Sequence, residues 1–309
     1  MIRVAIAQPE VESSLDAGLA TTLRLIREAR AAGAALVAFP ETWLPGYPAW
    51  LDVCRDVALW DHEPVKRVFR RMAEQSVVVP GPVTASLGQA AKDAGIALVI
   101  GVTERIDGGP SHGTLYNAAL TFDADGRLAN HHRKLVPTYT ERMVWGLGDA
   151  DALGAVETHI GRVGALVCWE HWMPLARQAM HDSGEDIHVA LWPTAHEMLQ
   201  VASRHYAFEG RCFMLAAGSL MRASALPPEL EPHATKVRSP NDWVLRGGSA
   251  IIGPDGRYVT EPCFDRPGLI VADIDLGRVR EERMTLDVSG HYHRPELLRL
   301  DVARATRRS

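Results

Sequence analysis

Three residues of this sequence pair a reactive side chain with a place where a strand is expected to end. Cys168 closes the apolar run Gly164–Cys168 and is followed by Trp169-Glu-His-Trp-Met-Pro174. Proline suits the first turn of a helix, so the thiol is expected at a strand-to-helix corner. Amide groups there can donate to a developing oxyanion, and a helix end favours a thiolate. Such help matters, because a free thiol with a pKa of about 8.5 is only slightly ionised at neutral pH. The adjacent Glu170 opposes ionisation unless it points away. The competing reading is a small packing residue, which is what most free cysteines are.

Glu41 ends the run Leu36-Val-Ala-Phe-Pro-Glu41. A carboxylate just behind a buried strand is partly desolvated, so its pKa rises and it can accept and return protons near neutral pH. Lys134 ends Leu128–Lys134, where a fixed ammonium could stabilise charge developing on nitrogen or oxygen. Taken singly, Glu41 also reads as a capping or ion-paired residue and Lys134 as a surface lysine. Taken together, they supply a nucleophile, a base and an electrostatic stabiliser from the ends of three different strands.

The elements that must position these groups are legible as alternating patterns. Arg3–Gln8 is a short apolar run. Ser13-x-x-Asp16 resembles a helix start, with Leu19, Leu23, Ile26 and Ala29 at helical spacing before Gly33. Ala35–Phe39 reads as a buried strand. A second helix, carrying Leu87, Ala90, Ala91 and Ala94, leads into the strand Ile96–Val102. Asp125-Gly126 and Asp255-Gly256 mark two hairpins, the first between Thr114–Phe122 and Leu128–Lys134, the second between Ser249–Ile252 and Arg257–Thr260. Further strands are expected at Val163–Val167, Ile187–Leu191, Cys212–Ala216 and Leu269–Ile274. Helices mixed with parallel and hairpin-joined strands favour a layered α/β sandwich over a parallel barrel. The one long irregular piece is 225–242, and long loops in compact domains are often functional. A single domain over 1–295 with a short tail over 296–309 is expected.

Composition narrows the function. The chain has 309 residues, 47% hydrophobic and 23% charged, with a formal net charge of −5. Without a basic face there is no reason to expect nucleic acid. No apolar run reaches the ~18 residues a membrane helix needs, and no signal peptide is evident. The four cysteines, Cys54, Cys168, Cys212 and Cys263, lack metal or disulfide spacing. A reducing cytoplasm is therefore expected, where a cysteine is catalytic or simply buried.

Six blocks, in order, resemble the nitrilase superfamily and, within it, the true nitrilase branch. They are Phe39-Pro-Glu41-Thr-Trp-Leu-Pro-Gly46-Tyr47-Pro48, His132-Arg-Lys134-Leu-Val-Pro-Thr138, Glu141-Arg-Met-Val-Trp145-Gly146, Cys168-Trp-Glu-His-Trp-Met-Pro174, Glu209-Gly-Arg-Cys-Phe213 and Asp287-Val-Ser-Gly-His291-Tyr-His-Arg-Pro295. Six blocks spread over nearly the whole chain are far more specific than any short motif. The resemblance implies an α-β-β-α sandwich that pairs into a four-layer-forming homodimer, in some relatives extended to a spiral oligomer. The chain stops soon after Arg294, which argues against long filaments. The resemblance also implies a catalytic set of Glu41, Lys134 and Cys168, with Glu141 positioning the lysine and the Trp169 amide completing an oxyanion site. No cofactor and no metal are expected.

The implied reaction is hydrolysis of a small-molecule nitrile to an acid and ammonia through a thioimidate and a thioester. Amidases and carbamoylases of the superfamily share the three residues, and Trp169-Glu-His after the cysteine is what favours a nitrile. Trp43, Trp50, Trp145, Trp169, Trp172 and Trp192 lie near the blocks and could line an aromatic pocket. Tyr47, Trp169 and Trp192 are the expected substrate-binding residues, for aromatic or arylaliphatic nitriles. Two rival classes remain, a metal-dependent hydrolase prompted by the thirteen histidines and a non-catalytic scaffold. Adjacent strand residues face opposite ways, so His131 and His132 cannot easily share one ion.

Overall fold

In a computed structural model, which describes residues 1–304, the apolar runs become two sheets that face one another. The strands are β1 (Ile2–Gln8), β2 (Leu36–Ala38), β3 (Ala97–Arg105), β4 (Leu115–Phe122), β5 (Leu128–Arg133), β6 (Val156–Thr158), β7 (Gly161–Val167), β8 (Ile187–Leu191), β9 (Phe213–Ala217), β10 (Leu220–Arg222), β11 (Trp243–Ile252), β12 (Tyr258–Phe264) and β13 (Gly268–Ile274). The helices are α1 (Leu15–Ala31), α2 (Trp50–Val53), α3 (Glu63–Glu74), α4 (Pro82–Ala94), α5 (Pro174–Asp182), α6 (Glu197–Gly210) and α7 (Gly277–Arg283). One sheet runs β13-β1-β2-β3-β4-β5. The other runs β10-β11-β9-β8-β7-β6, with β12 on β11. Each has a parallel centre, β1-β2-β3 and β7-β8-β9, flanked by antiparallel strands.

Period-two alternation sorts the side chains into layers. In the first sheet Val4, Ile6, Leu36, Ala38, Ala97 and Val99 face inward and pack with Ala165, Val167, Val189 and Leu191 of the second. Their neighbours Ala5, Ala7, Val37, Phe39, Leu98 and Ile100 face outward onto Leu25, Ile26 and Ala29 of α1 and Leu87 and Ala91 of α4. On the far side α6 brings Leu199, Ala202 and Tyr206 against the second sheet. The result is an α-β-β-α sandwich. Because the central strands are covered on both faces, they read as continuous apolar runs.

Sequence and structure part at a few places. The N-cap of α1 is Ser14, whose Oγ accepts from the Ala17 amide at 3.2 Å, one residue later than the Ser13 start expected. Helices α3 and α6 were not anticipated. Both hairpins sit at their Asp-Gly pairs. The segment 225–242 begins at the end of the 3-10 turn Ala223–Ala225 and is otherwise irregular apart from an isolated bridge between Cys54 and Pro232. Of the tail, Leu300 and Val302 pack on the main core and Arg304 donates to the Leu153 carbonyl at 3.0 Å, while 305–309 lie outside the described residues. Among the described residues no helix is long and apolar enough to cross a membrane.

Candidate active site

Glu41 follows β2 in a tight turn that leaves the first sheet and touches the second. Its amide donates to the Trp192 carbonyl at 3.3 Å, and Thr42 beside it has φ +41°. The turn lies so close to β3 that a Cβ on Gly101 would sit 2.3 Å from the Pro40 carbonyl oxygen and 2.8 Å from Glu41 Cα. Glycine at 101 is what lets the carboxylate approach. Glu41 is fully buried, and its Oε1 accepts from Asn117 Nδ2 at 2.7 Å and from Lys134 Nζ at 3.0 Å. Its Oε2 has no hydrogen-bond partner among the described residues.

Lys134 comes directly after β5, held by its amide to the Asn117 carbonyl at 2.7 Å. Its side chain is buried, and Nζ also donates to Glu141 Oε2 at 2.6 Å. Glu141 sits in the 3-10 turn Tyr139–Met143, which opens on Tyr139 at φ +43°. Two further donors fix that carboxylate, the Thr138 amide at 2.7 Å and the Tyr47 hydroxyl at 3.1 Å.

Cys168 ends β7 and starts a 3-10 turn, Cys168–Trp172, that leads to α5 at Pro174. The expected corner is present, and its first residue is strained. Cys168 has φ +53°, a left-handed conformation that costs a non-glycine residue about 1–3 kcal/mol and needs surrounding structure to hold it. Part of that support is Glu170, which points away from the thiol. Its carboxylate accepts from the Val167 amide at 2.7 Å, the Leu135 amide at 2.9 Å and His132 Nε2 at 3.0 Å. Glu170 thus staples the end of β7 in one sheet to the residues on either side of Lys134 in the other. One atom each of Glu41, Glu141 and Cys168 falls within 4.8 Å of the others.

Burial governs the electrostatics. Desolvation lifts the Glu41 carboxyl to about 7, despite the opposing pull of Lys134. Burial would also discharge Lys134, but Glu41, Cys168 and Glu141 outweigh it and hold the ammonium above its ordinary range. The Cys168 thiol is raised well above its usual value by burial and by Glu41, against Lys134. The corner therefore does not stabilise a free thiolate, as its position had suggested, because desolvation exceeds whatever the short turn offers. Ionisation of the thiol must be coupled to proton transfer, and Glu41 is the acceptor at hand. Burial, with Glu141 next, raises the Tyr47 phenol well above normal, so it stays a donor.

The geometry also bears on a metal. Three acidic groups this close would suit a cation, and the cation among them is the Lys134 ammonium. His131 and His132 turn to separate carboxylates, Glu104 and Glu170, and His291 lies exposed near Asp287.

A cavity of about 1100 Å³ opens over Cys168. Tyr47, Glu141, Trp169, Trp172 and Trp243 line it. Trp192 does not. Its side chain is fully buried in the main core, ring against His171 and indole N–H to Ser203 Oγ at 3.2 Å. The expectation that Trp192 contacts substrate is corrected by that orientation. Trp43 is likewise buried, donating to Thr22, and Trp145 packs on Tyr47. Asn117 and Trp243 were missed. Asn117 had a signal, a lone amide within the buried run of β4, whereas Trp243 lies at the end of a proline-rich loop with no pattern to mark it.

Comparison with known proteins bears on the family and the fold. The family model described as carbon-nitrogen hydrolase matches residues 3–284. A nitrilase of Paraburkholderia phymatum is 40% identical over 287 residues, 90% of this chain and 79% of that protein. An aliphatic nitrilase of Sinorhizobium fredii is 39% identical over 97% of this chain and 95% of its own length. A bifunctional nitrilase/nitrile hydratase of Lupinus angustifolius is 39% identical over 90% of this chain and 79% of its own. Among solved structures, a carbon-nitrogen hydrolase from Helicobacter pylori superposes with TM-score 0.67 at 19% identity, covering 92% of this chain and 93% of that one. An amidase from Nesterenkonia does so with TM-score 0.67 at 19% identity, covering 93% and 98%. These last two share the fold.

Proposed function

The chain belongs to the carbon-nitrogen hydrolase family, and on that premise we propose that it is a nitrilase forming a covalent intermediate on Cys168. The carrying observation is the meeting of Glu41, Lys134 and Cys168 beneath one cavity in a chain 39–40% identical to proteins named as nitrilases.

The steps follow from the charges. Glu41 takes the thiol proton as sulfur adds to the nitrile carbon, then delivers it to nitrogen, leaving a thioimidate. Water, deprotonated by Glu41, adds to that carbon. Nitrogen gains protons and leaves as ammonia, and a thioester remains. A second water adds in the same way, and the carboxylic acid departs as sulfur regains its proton. A carboxyl near 7 suits this shuttle, since the best general base titrates close to the working pH. Lys134 and the Trp169 amide stabilise the charged tetrahedral states, at about 3–4 kcal/mol per oriented donor. Glu141, whose oxygens accept from Lys134, Tyr47 and Thr138, positions the lysine.

The preferred substrates are aromatic or arylaliphatic nitriles, a reading supported by Trp169, Trp172 and Trp243 along the cavity. Pairing into a homodimer is supported by the outward stripe Met198, Val201, His205 and Phe208 on α6, whose three apolar members are about half exposed. Ammonia release across aromatic, arylaliphatic and aliphatic nitriles, with matching amides, tests the function. Nitriles should be turned over faster than their amides. Faster amide turnover would assign the chain to amide hydrolysis instead.

A further inference from the structure

Behind Cys168, on the side away from the cavity, lies a chain of buried polar groups that the reaction does not use. His171 Nδ1 is 2.7 Å from the Cys168 carbonyl oxygen, and His171 Nε2 is 3.0 Å from His188 Nε2. His188 Nδ1 is 2.5 Å from Glu185 Oε1, and the Tyr206 hydroxyl donates to Glu185 Oε2 at 2.6 Å. All four residues are at most 2% exposed. The site is built for them. His188 lies on β8 in register with Gly164 on β7, and a Cβ at 164 would come within 1.8 Å of Glu185 Oε1.

We propose that Glu185, His188 and His171 form a one-directional hydrogen-bond relay that holds the Cys168 carbonyl, and with it the left-handed turn that aims the thiol. The proposal rests on the nitrilase reading only for what the thiol does. The direction follows from what each atom can offer. A carbonyl oxygen only accepts, so His171 must carry its proton on Nδ1. Burial and His188 hold His171 down at about 3, so it is neutral and its Nε2 is a lone pair. His188 must then donate from Nε2. Its Nδ1 meets a carboxylate oxygen, a contact that needs a proton as well. Burial pushes the Glu185 carboxyl up, but His188 and His181 outweigh it and hold it at about 2. His188, anchored at Nδ1 by Glu185, therefore presents its Nε2 proton to His171 and fixes the tautomer of that ring. The ring of His171 packs against Trp192 and Tyr206, with centroids 4.7 and 5.5 Å away.

The consequence lands on Cys168. A residue at φ +53° relaxes unless its peptide is tied down, and the carbonyl that His171 grips belongs to that residue. His171 is thus a positioning residue. Displacing a reacting atom by about 1 Å costs about 10²-fold in rate.

Two measurements test this. In wild-type protein labelled with ¹⁵N-histidine, NMR at neutral pH should show His171 neutral with its proton on Nδ1, and His188 carrying a proton on Nε2. Finding the His171 proton on Nε2, or no proton on His188 Nε2, would overturn the relay whatever the substrate proves to be. In kinetics on the best nitrile or amide, His171→Leu should lower kcat about 10²-fold and leave KM within about threefold. His171→Asn, whose amide nitrogen falls near the position of Nδ1, should recover at least about tenfold of that loss. A folded Leu variant with kcat within threefold of wild type, or an Asn variant no better than Leu, would refute the role. If the variants do not fold, the wild-type spectrum decides alone. A wild-type protein inactive on every nitrile and amide would count against the proposed function and leave the spectrum to judge the relay.

Discussion

Placing one methyl group on Gly101 should disable the site from outside it. The position is on β3, and its side chain would never meet substrate. An alanine Cβ there would lie 2.3 Å from the Pro40 oxygen, 2.5 Å from the Thr42 nitrogen and 2.8 Å from Glu41 Cα, whereas ordinary contact begins at 3.4 Å. All three neighbours are backbone and cannot swing aside, so the turn must move out by about 1 Å. Overpacking of this kind costs about 1–3 kcal/mol in stability, which a chain of this size can survive. The same movement carries Glu41 away from Asn117 and Lys134, bonded to it at 2.7 and 3.0 Å. A displacement of about 1 Å costs about 10²-fold in turnover. Ammonia release should therefore show kcat for Gly101→Ala reduced about 10²-fold in protein that retains its circular dichroism spectrum. A folded variant with kcat within threefold of wild type would show that the approach of β3 does not place Glu41.

Other perturbations separate the roles. Activity should rise with pH through about 7 as the Glu41 carboxyl, lifted there by burial, loses its proton to act as base. Asn117→Ala removes a bond that lowers that carboxyl, so this limb should move to higher pH, and a limb that stays put or moves down would dissociate it from Glu41. Lys134→Met leaves Glu41 and Glu141 buried without their cation, and loss of one partner of a buried pair costs about 3–5 kcal/mol. Denaturant unfolding should show that loss, and a smaller change than about 1 kcal/mol would mean the carboxylates find another partner. Trp192→Phe should leave KM within about twofold while lowering stability by about 1–2 kcal/mol, since the indole bonds Ser203 in the core rather than substrate. A severalfold rise in KM would return Trp192 to the cavity.

Much of the fold was legible because its central strands are covered on both faces. A strand such as Ala97–Val102 must then be apolar at every position, and it announces itself as a run. Glu41 and Cys168 stand at the ends of two such runs, and Lys134 follows the edge strand β5, which is why residue type and position already suggested a constellation. Helix α6 hid for the opposite reason. Its buried face includes Gln200 and Ser203, which bond to the carbonyls of Ala195, Gly248 and Leu199, and these polar residues break the apolar period. Helix α3 carries a readable pattern in Val65, Val68, Phe69 and Met72. Side-chain direction was the other obscure quantity. Trp169 and Trp192 both lie just beyond strand ends, yet one is 53% exposed on the cavity and the other fully buried. No sequence period distinguishes them, because each orientation is set by what the neighbouring strands leave open. Glu170 likewise looked like a threat to the thiolate, and only its contacts with His132, Leu135 and Val167 show it turned away.

The most direct test of the account is the chemical fate of Cys168 during turnover. Protein quenched in acid while hydrolysing its best nitrile should carry, by peptide mass spectrometry, an acyl or imidate adduct of the substrate on Cys168. Cys168→Ala should carry none and release ammonia at least about 10³-fold more slowly. Turnover by Cys168→Ala at a rate near that of wild type, or a substrate adduct on Cys54, Cys212 or Cys263 in place of Cys168, would contradict it.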